Sequence, residues 1–320
     1  MDGSQVRILV VGLGVTGTGY GWAVTEAQHE VTHLVRPGRA AGVDRLYLDI
    51  LDMRPGRPRW KKAIYRPKVA EAASPADRFD FVLVPVKHYQ LADAVRELDG
   101  MLPDGRFVLF SANWEGPGAV DEVLPRERYL WAYPASTGGH DEDLLVFNLS
   151  PEYRTGPIDG AVPPWARSVE DFLDALDMRA DRKPDMVQWL WLHFAQAAGT
   201  IGSVIAAGGL GPFYEDEAGL RDRMVPAVRE CLAVVEARGV DLSAFPEVGP
   251  YLTMTAEQVA ATTRATATTP WVQRTLQAGH FLENADEMQR FYLDVLATGE
   301  ELGVPMPVMQ SFREAVLASA

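Results

Sequence analysis

The chain has 320 residues, 47% of them apolar, with a net charge of −14 and one cysteine. That size supports a substantial core and suggests two domains rather than one. The acidic balance argues against phosphate-backbone recognition, and Cys231 alone can form neither an internal disulfide nor a thiolate metal cluster.

In chain order, Arg7-Ile8-Leu9-Val10-Val11 reads as a buried strand, Gly12-Leu13-Gly14-Val15-Thr16-Gly17 as a glycine turn opening a helix, and residues 31–36 as a second strand ending in a cation. This is the spacing of a βαβ unit that binds a dinucleotide. Gly12 permits the tight turn, Gly14 leaves room for a pyrophosphate against the backbone, and Gly17 lets the helix lie close on the strand. The helix start, at Val15 and Thr16, offers its unpaired N–H groups to the phosphates. An NAD-preferring unit ends its second strand with Asp or Glu, which accepts from the ribose hydroxyls and repels a 2′-phosphate. Arg36 stands there instead, with Arg39 close behind, and a guanidinium pairs with phosphate through two parallel hydrogen bonds, so NADPH is the expected cofactor.

Residues 47–50 and the basic segment around Lys61 and Lys62 read as irregular, with a hairpin as one option. Residues 79–86 form the next strand, 90–98 a helix, and 106–111 a strand after the Pro103-Asp104-Gly105 turn. Residues 129–133 and 144–147 read as strands with Gly138-Gly139 as a turn between them, and a helix runs from about 167 to 176. Beyond Pro184 the pattern changes to long 3.6-residue periods, which sets the expected boundary: 1–183 for nucleotide binding, 184–320 helical. Helices are expected over 189–207, over 220–238 ending at Gly239, over 286–302 ending at Gly303, and over 307–318, with weaker signals over 253–269. No run of about 18 apolar residues and no leader-like N-terminus is read, so a membrane is not an expected partner and a cytoplasmic location follows, while the acidic balance leaves nucleic acid out as well.

Hydride transfer needs a nicotinamide held against the substrate carbonyl, a donor to the carbonyl oxygen and a dry pocket. Lys87 and Asn113 each follow a strand at the carboxyl edge of the sheet, where open α/β sheets bind ligands. No His, Asp or Glu spacing reads as a metal site.

These residues resemble the ketopantoate reductase family: the Gly12–Gly17 turn, Arg36, Val86-Lys87, Asn113, Leu190-Trp191-Leu192-His193-Phe194, and Glu287 ahead of Leu302-Gly303-Val304-Pro305-Met306-Pro307. The resemblance implies an N-terminal Rossmann-type doubly wound sheet with an all-helical C-terminal domain, often dimeric, reducing a small-molecule substrate with NADPH. It further implies that Lys87 and Asn113 contact cofactor or substrate and that Glu287 touches the substrate hydroxyl.

Three departures accompany the matches. The family's catalytic lysine aligns with His193, and asparagines expected four and eight residues later align with Ala197 and Ile201. An ammonium donates a proton and attracts a developing alkoxide, whereas neutral imidazole only hydrogen-bonds; protonated, His193 still serves as an acid. The aromatic Trp189, Trp191 and Phe194 then point to a larger or more apolar substrate than ketopantoate, while Glu115 adds an acid beside Asn113. His280 is a further candidate by position, with Glu283 nearby. Four readings stay open: a reductase of another carbonyl or imine compound, with His193, Glu287 and Asn113 as catalytic residues; a true 2-dehydropantoate 2-reductase; a non-catalytic NADPH-binding sensor; and an opine-type dehydrogenase.

Overall fold

The computed structural model describes residues 5–57, 59–277 and 285–319, and the chain separates between Met186 and Val187 into two compact units. In the first, an eight-stranded sheet is built from β1 (Arg7–Val11), β2 (Glu30–Leu34), β5 (Lys68–Ala70), β6 (Phe81–Val84), β7 (Phe107–Phe110), β8 (Tyr129–Pro134), β11 (Glu152–Thr155) and β12 (Arg179–Arg182). Its order is β12-β11-β8-β7-β6-β1-β2-β5. Every neighbouring pair is parallel except β8 and β11. Strands β6 and β7 are buried on both faces, which is why each reads as an unbroken apolar run. The chain leaves β1 toward β2 on one side and returns to β6 on the other. That reversal makes the carboxyl ends of β1 and β6 the topological switch point, where ligands of such sheets bind.

A second sheet, of β3 (Leu46–Asp52), β4 (Trp60–Tyr65), β9 (Gly138–Asp141) and β10 (Leu144–Leu149), runs in the order β4-β3-β10-β9. The stretch around Lys61 and Lys62 is therefore a regular antiparallel hairpin, residue 46 facing 65 through 51 facing 60. Gly138 and Gly139 lie inside β9 rather than forming a turn: a Cβ on Gly138 would strike the Val146 carbonyl across the strand pair. The turn falls at Glu142-Asp143, where Glu142 adopts φ +54°.

The helix Val15–Glu26 packs between the two sheets, touching β1 and β2 on one side and β9 and β10 on the other. It is buried from Gly17 to Val24 and so lacks a polar face. Glycines set its distances. A Cβ on Gly19 would lie 2.8 Å from the Phe147 ring, and one on Gly21 would lie 2.6 Å from His33.

The second unit is helical. Met186–Ala206 begins at the boundary, followed by Leu210–Glu215, Val225–Ala237, Ala256–Ala267, Pro270–Gln277 and Ala285–Leu302 among the described residues. Gly199 lets the first of these cross close over Val228: a Cβ on Gly199 would lie 2.7 Å from the Val228 Cα and N, so the two helices meet almost backbone to backbone. The helix expected from residue 220 opens as one wide π-turn, Leu220–Met224, because Pro226 has no N–H to continue a regular ladder. Thr255 and Gln258 form a reciprocal capping box that starts Ala256–Ala267, where the weak Thr-Ala pattern left helicity open. The expected last helix is two, Pro307–Ser311 and Arg313–Ala318, broken at Phe312. Glu230 explains the first start: its carboxylate accepts from the Val308 and Met309 N–H groups at 3.0 and 2.9 Å. No helix among the described residues is long and apolar enough to cross a membrane.

Candidate functional site

The dinucleotide turn sits where β1 ends. Gly12 takes φ +79°, the left-handed region, and its N–H donates to the Leu34 carbonyl at 2.7 Å, tying the turn to the end of β2. A Cβ on Gly17 would press on Pro85 and Val10 at 3.1 Å, so the helix rests directly over the β1–β6 switch point. Gly14 differs from both. Its φ of −69° suits any residue, it is exposed, and a Cβ there would meet nothing within 4 Å. Neither backbone nor packing requires glycine at that position. The space beside its Cα is open to a group approaching the chain. Gly14 is also the N-cap of Val15–Glu26, makes no side-chain cap, and the first turn carries no acid, so the leading N–H groups of Val15 and Thr16 face outward without a competing carboxylate. The cradle therefore fits a diphosphate.

Beyond β2 the chain turns at Arg36-Pro37-Gly38-Arg39, closed by the Arg39 N–H donating to the Arg36 carbonyl at 3.1 Å, with Gly38 at φ +79°. Arg36 and Arg39 are exposed, and neither guanidinium makes a hydrogen bond or ion pair among the described residues. Glu71, just past β5, accepts from the Ala40 N–H at 2.9 Å. Donation from Ala40, Gly38 and Arg39 holds its carboxyl below the usual range. This acid braces the loop carrying both cations and was missed in the sequence, where nothing links it to position 40.

Lys87 follows β6 at the switch point, half-buried, its ammonium 6.0 Å from the Tyr89 ring centroid. Asn113 follows β7 and is buried, but its amide is committed locally: Nδ2 donates to the Gly116 carbonyl at 2.8 Å and Oδ1 accepts from the Gly116 N–H at 2.7 Å. Asn113 thus shapes its own loop, with one amide hydrogen committed to Gly116. Glu115 points to solvent on that loop.

In the second unit, His193 is half-buried on Met186–Ala206, its ring stacked on Trp189 at 5.3 Å and 10°. The Trp189 indole N–H donates to Glu247 at 3.0 Å. The aromatic stretch does not form one apolar face. Trp191 lies under the Arg238 guanidinium at 3.6 Å, and Phe194 is fully buried, stacked on Phe291 at 4.0 Å. Burial pushes Arg238 down to about 10. These rings hold the helical unit together, which removes Trp191 and Phe194 as arguments for an apolar substrate. Glu287 stands in the first turn of Ala285–Leu302, one helical turn before Phe291. His280 and Glu283 lie outside the described residues.

Residues 8–146 match the family profile described as Ketopantoate reductase PanE/ApbA. No curated protein sequence gave a match. Among solved structures, a 2-dehydropantoate 2-reductase from Geobacter metallireducens GS-15 shares 16% identity at a TM-score of 0.69, covering 98% of this chain and 100% of its own. A dimeric ketopantoate reductase from Staphylococcus aureus shares 15% at 0.63, covering 98% and 99%. A D-mandelate dehydrogenase, solved with NADH and anilino(oxo)acetate, shares 14% at 0.67, covering 98% of each chain. The chain is thus ketopantoate reductase-like, with that family's domain over residues 8–146 and the fold of its members along nearly its whole length.

Proposed function

We propose that this protein is an NADPH-dependent reductase of a carbonyl or imine compound other than ketopantoate, working as a homodimer. The observation that carries the reading is Gly14, the N-cap of the helix after β1, where the backbone suits any residue and the open space at the Cβ position supports the approach of a phosphate. When bound, the cofactor supplies a hydride to an sp² carbon. The protein's part is to seat the diphosphate on the Val15 and Thr16 N–H groups, to pair Arg36 with the ribose phosphate, and to set Lys87 and Asn113 beside the reactive ring. His193 then gives the proton to the nascent oxygen or nitrogen and Glu287 orients the substrate, so the polarity lost at Ala197 and Ile201 selects against ketopantoate.

The likeness to ketopantoate reductases and to a D-mandelate dehydrogenase supports an oxidoreductase of hydroxyl and carbonyl groups, and the dimeric neighbour supports a dimer. The test is NADPH oxidation by the purified protein across 2-oxo acids, ketones and imines, with ketopantoate among them. Turnover of a non-ketopantoate substrate that falls at least about tenfold in His193→Ala is the expected result. NADPH binding without turnover of anything in the panel would instead favour a sensor. Ketopantoate turnover at least as fast as any other, with His193 as it stands, would favour a true 2-dehydropantoate 2-reductase. A strict amine requirement would favour an opine-type dehydrogenase.

A further inference from the structure

His33 stands next to last in β2, fully buried. Its Nδ1 lies 2.8 Å from the carbonyl oxygen of Gly12, the first glycine of the dinucleotide turn, and its Nε2 lies 2.9 Å from the Tyr65 hydroxyl on β4. The chemistry of the partners fixes the proton. A carbonyl can only accept, so Nδ1 carries the hydrogen, and Nε2 accepts from the Tyr65 O–H. Burial agrees with this neutral form, lowering the imidazole to about 4 and raising the Tyr65 phenol to about 12. The helix makes room for the ring: a Cβ on Gly21 would lie 2.6 Å from Nε2 and 3.2 Å from the Tyr65 oxygen. Three elements thus converge on one peptide group, with β2 supplying the ring, β4 orienting it and the helix yielding space.

We infer that His33 is a positioning residue for cofactor binding, clamping the Gly12 peptide from beneath so that the turn and the helix start are preformed, with Tyr65 holding the ring in place from its other nitrogen. The other side of Gly12 is already held, its N–H donating to Leu34. With both ends of that residue fixed, the φ of +79° needed for the turn is set before any ligand arrives. The second sheet thereby acquires a role in nucleotide binding through Tyr65, though it lies on the far side of the helix from β1. This inference rests on the cofactor reading above for its functional consequence, and on geometry alone for the clamp.

The experiment compares wild type, His33→Leu, His33→Asn and Tyr65→Phe by NADPH fluorescence titration, thermal midpoint, amide hydrogen exchange over residues 12–18, and ¹⁵N-imidazole NMR. His33→Leu should weaken NADPH by about tenfold, the worth of one hydrogen bond to a buried acceptor, and speed exchange in the turn. His33→Asn keeps a donor near the Nδ1 position and should restore affinity to within about threefold of wild type while leaving the midpoint as low as in His33→Leu, since both lose the ring's packing. The NMR should place the proton on Nδ1 in wild type and keep it there in Tyr65→Phe, because the Gly12 carbonyl still requires a donor. If His33→Leu does not fold, Tyr65→Phe carries the comparison, with a smaller loss of affinity expected in the same direction. Folded variants that bind NADPH as wild type does, or a proton found on Nε2, overturn the clamp. Should wild type bind no pyridine nucleotide, the cofactor reading falls by itself, and unchanged exchange at residues 12–18 in His33→Leu would then overturn the clamp separately.

Discussion

Replacing Gly14 by alanine separates a binding role from a folding role, because the two give opposite results at this position. In the protein alone the added methyl meets nothing within 4 Å, and the φ of −69° and ψ of 171° are open to alanine. Alanine is a poorer N-cap than glycine by about 0.5 kcal/mol or somewhat more, but it reduces the freedom of the unfolded chain by about 0.4–1 kcal/mol. The two nearly cancel, so the melting midpoint should move by no more than about 3 °C. With a diphosphate in the cradle the same methyl overfills a close contact, at a cost of about 1–3 kcal/mol, or roughly 5- to 150-fold in affinity. Gly17→Ala is the natural partner: its Cβ presses on Pro85 and Val10 at 3.1 Å, so it should lower the midpoint as well. The assay is an NADPH titration by fluorescence beside a thermal scan. A Gly14→Ala protein that binds as tightly as wild type would refute the reasoning, and one that unfolds early would show that packing, not ligand clearance, selects glycine there.

The buried Arg54–Asp52 pair, with side chains 2% and 3% exposed and Nη2 2.8 Å from Oδ2, also holds the Leu176 carbonyl at 3.1 Å. Arg54→Met should therefore cost about 3–5 kcal/mol in urea unfolding by leaving a buried carboxylate unpaired, whereas Asp52→Leu with Arg54→Met should recover most of it; a single-variant loss under about 1 kcal/mol would contradict this. His33 predicts an acid-sensitive window. Its pKa is about 4 in the fold against 6.5 unfolded, so the unfolded chain binds the proton first and stability falls as pH drops from 6.5 toward 4. The full loss is about 3 kcal/mol, and His33→Asn should flatten that part of the pH profile; equal slopes in variant and wild type would dispose of the assignment. Glu71→Ala frees the Ala40 N–H and should weaken NADPH by a few-fold through a looser Arg36 loop, with NADH unaffected; an equal loss for both nucleotides would contradict it.

The parallel sheet and the glycine turn were legible in the sequence because their signals are local: β-branched runs, glycine spacing and a cation at the end of a strand. The helical half was legible from its period. The second sheet was not, because β3 and β10 pair across nearly a hundred residues and β9 carries two glycines that mimic a turn. Gly19 belongs to that second sheet, since a Cβ there would lie 2.8 Å from the Phe147 ring of β10. Asn113 was legible as a polar residue at the carboxyl edge of the sheet, while its grip on Gly116 lay beyond reach, since a side chain's bonds within its own loop leave no periodic trace. The aromatic stretch at residues 189–194 misled for a related reason: spacing gives direction around a helix, but only the fold shows that Arg238 and Phe291 already occupy Trp191 and Phe194.

The central claim is that the cation after β2 reads a ribose phosphate. Titrating NADPH and NADH against wild type and Arg36→Ala at one fixed ionic strength tests it most directly. Wild type should prefer NADPH by at least about tenfold, and Arg36→Ala should lose most of that preference, the loss of a bidentate charge-assisted pair worth about 1.5–3 kcal/mol, while its NADH affinity stays as it was. Wild type binding NADH as tightly as NADPH, or Arg36→Ala keeping the full preference, would contradict it.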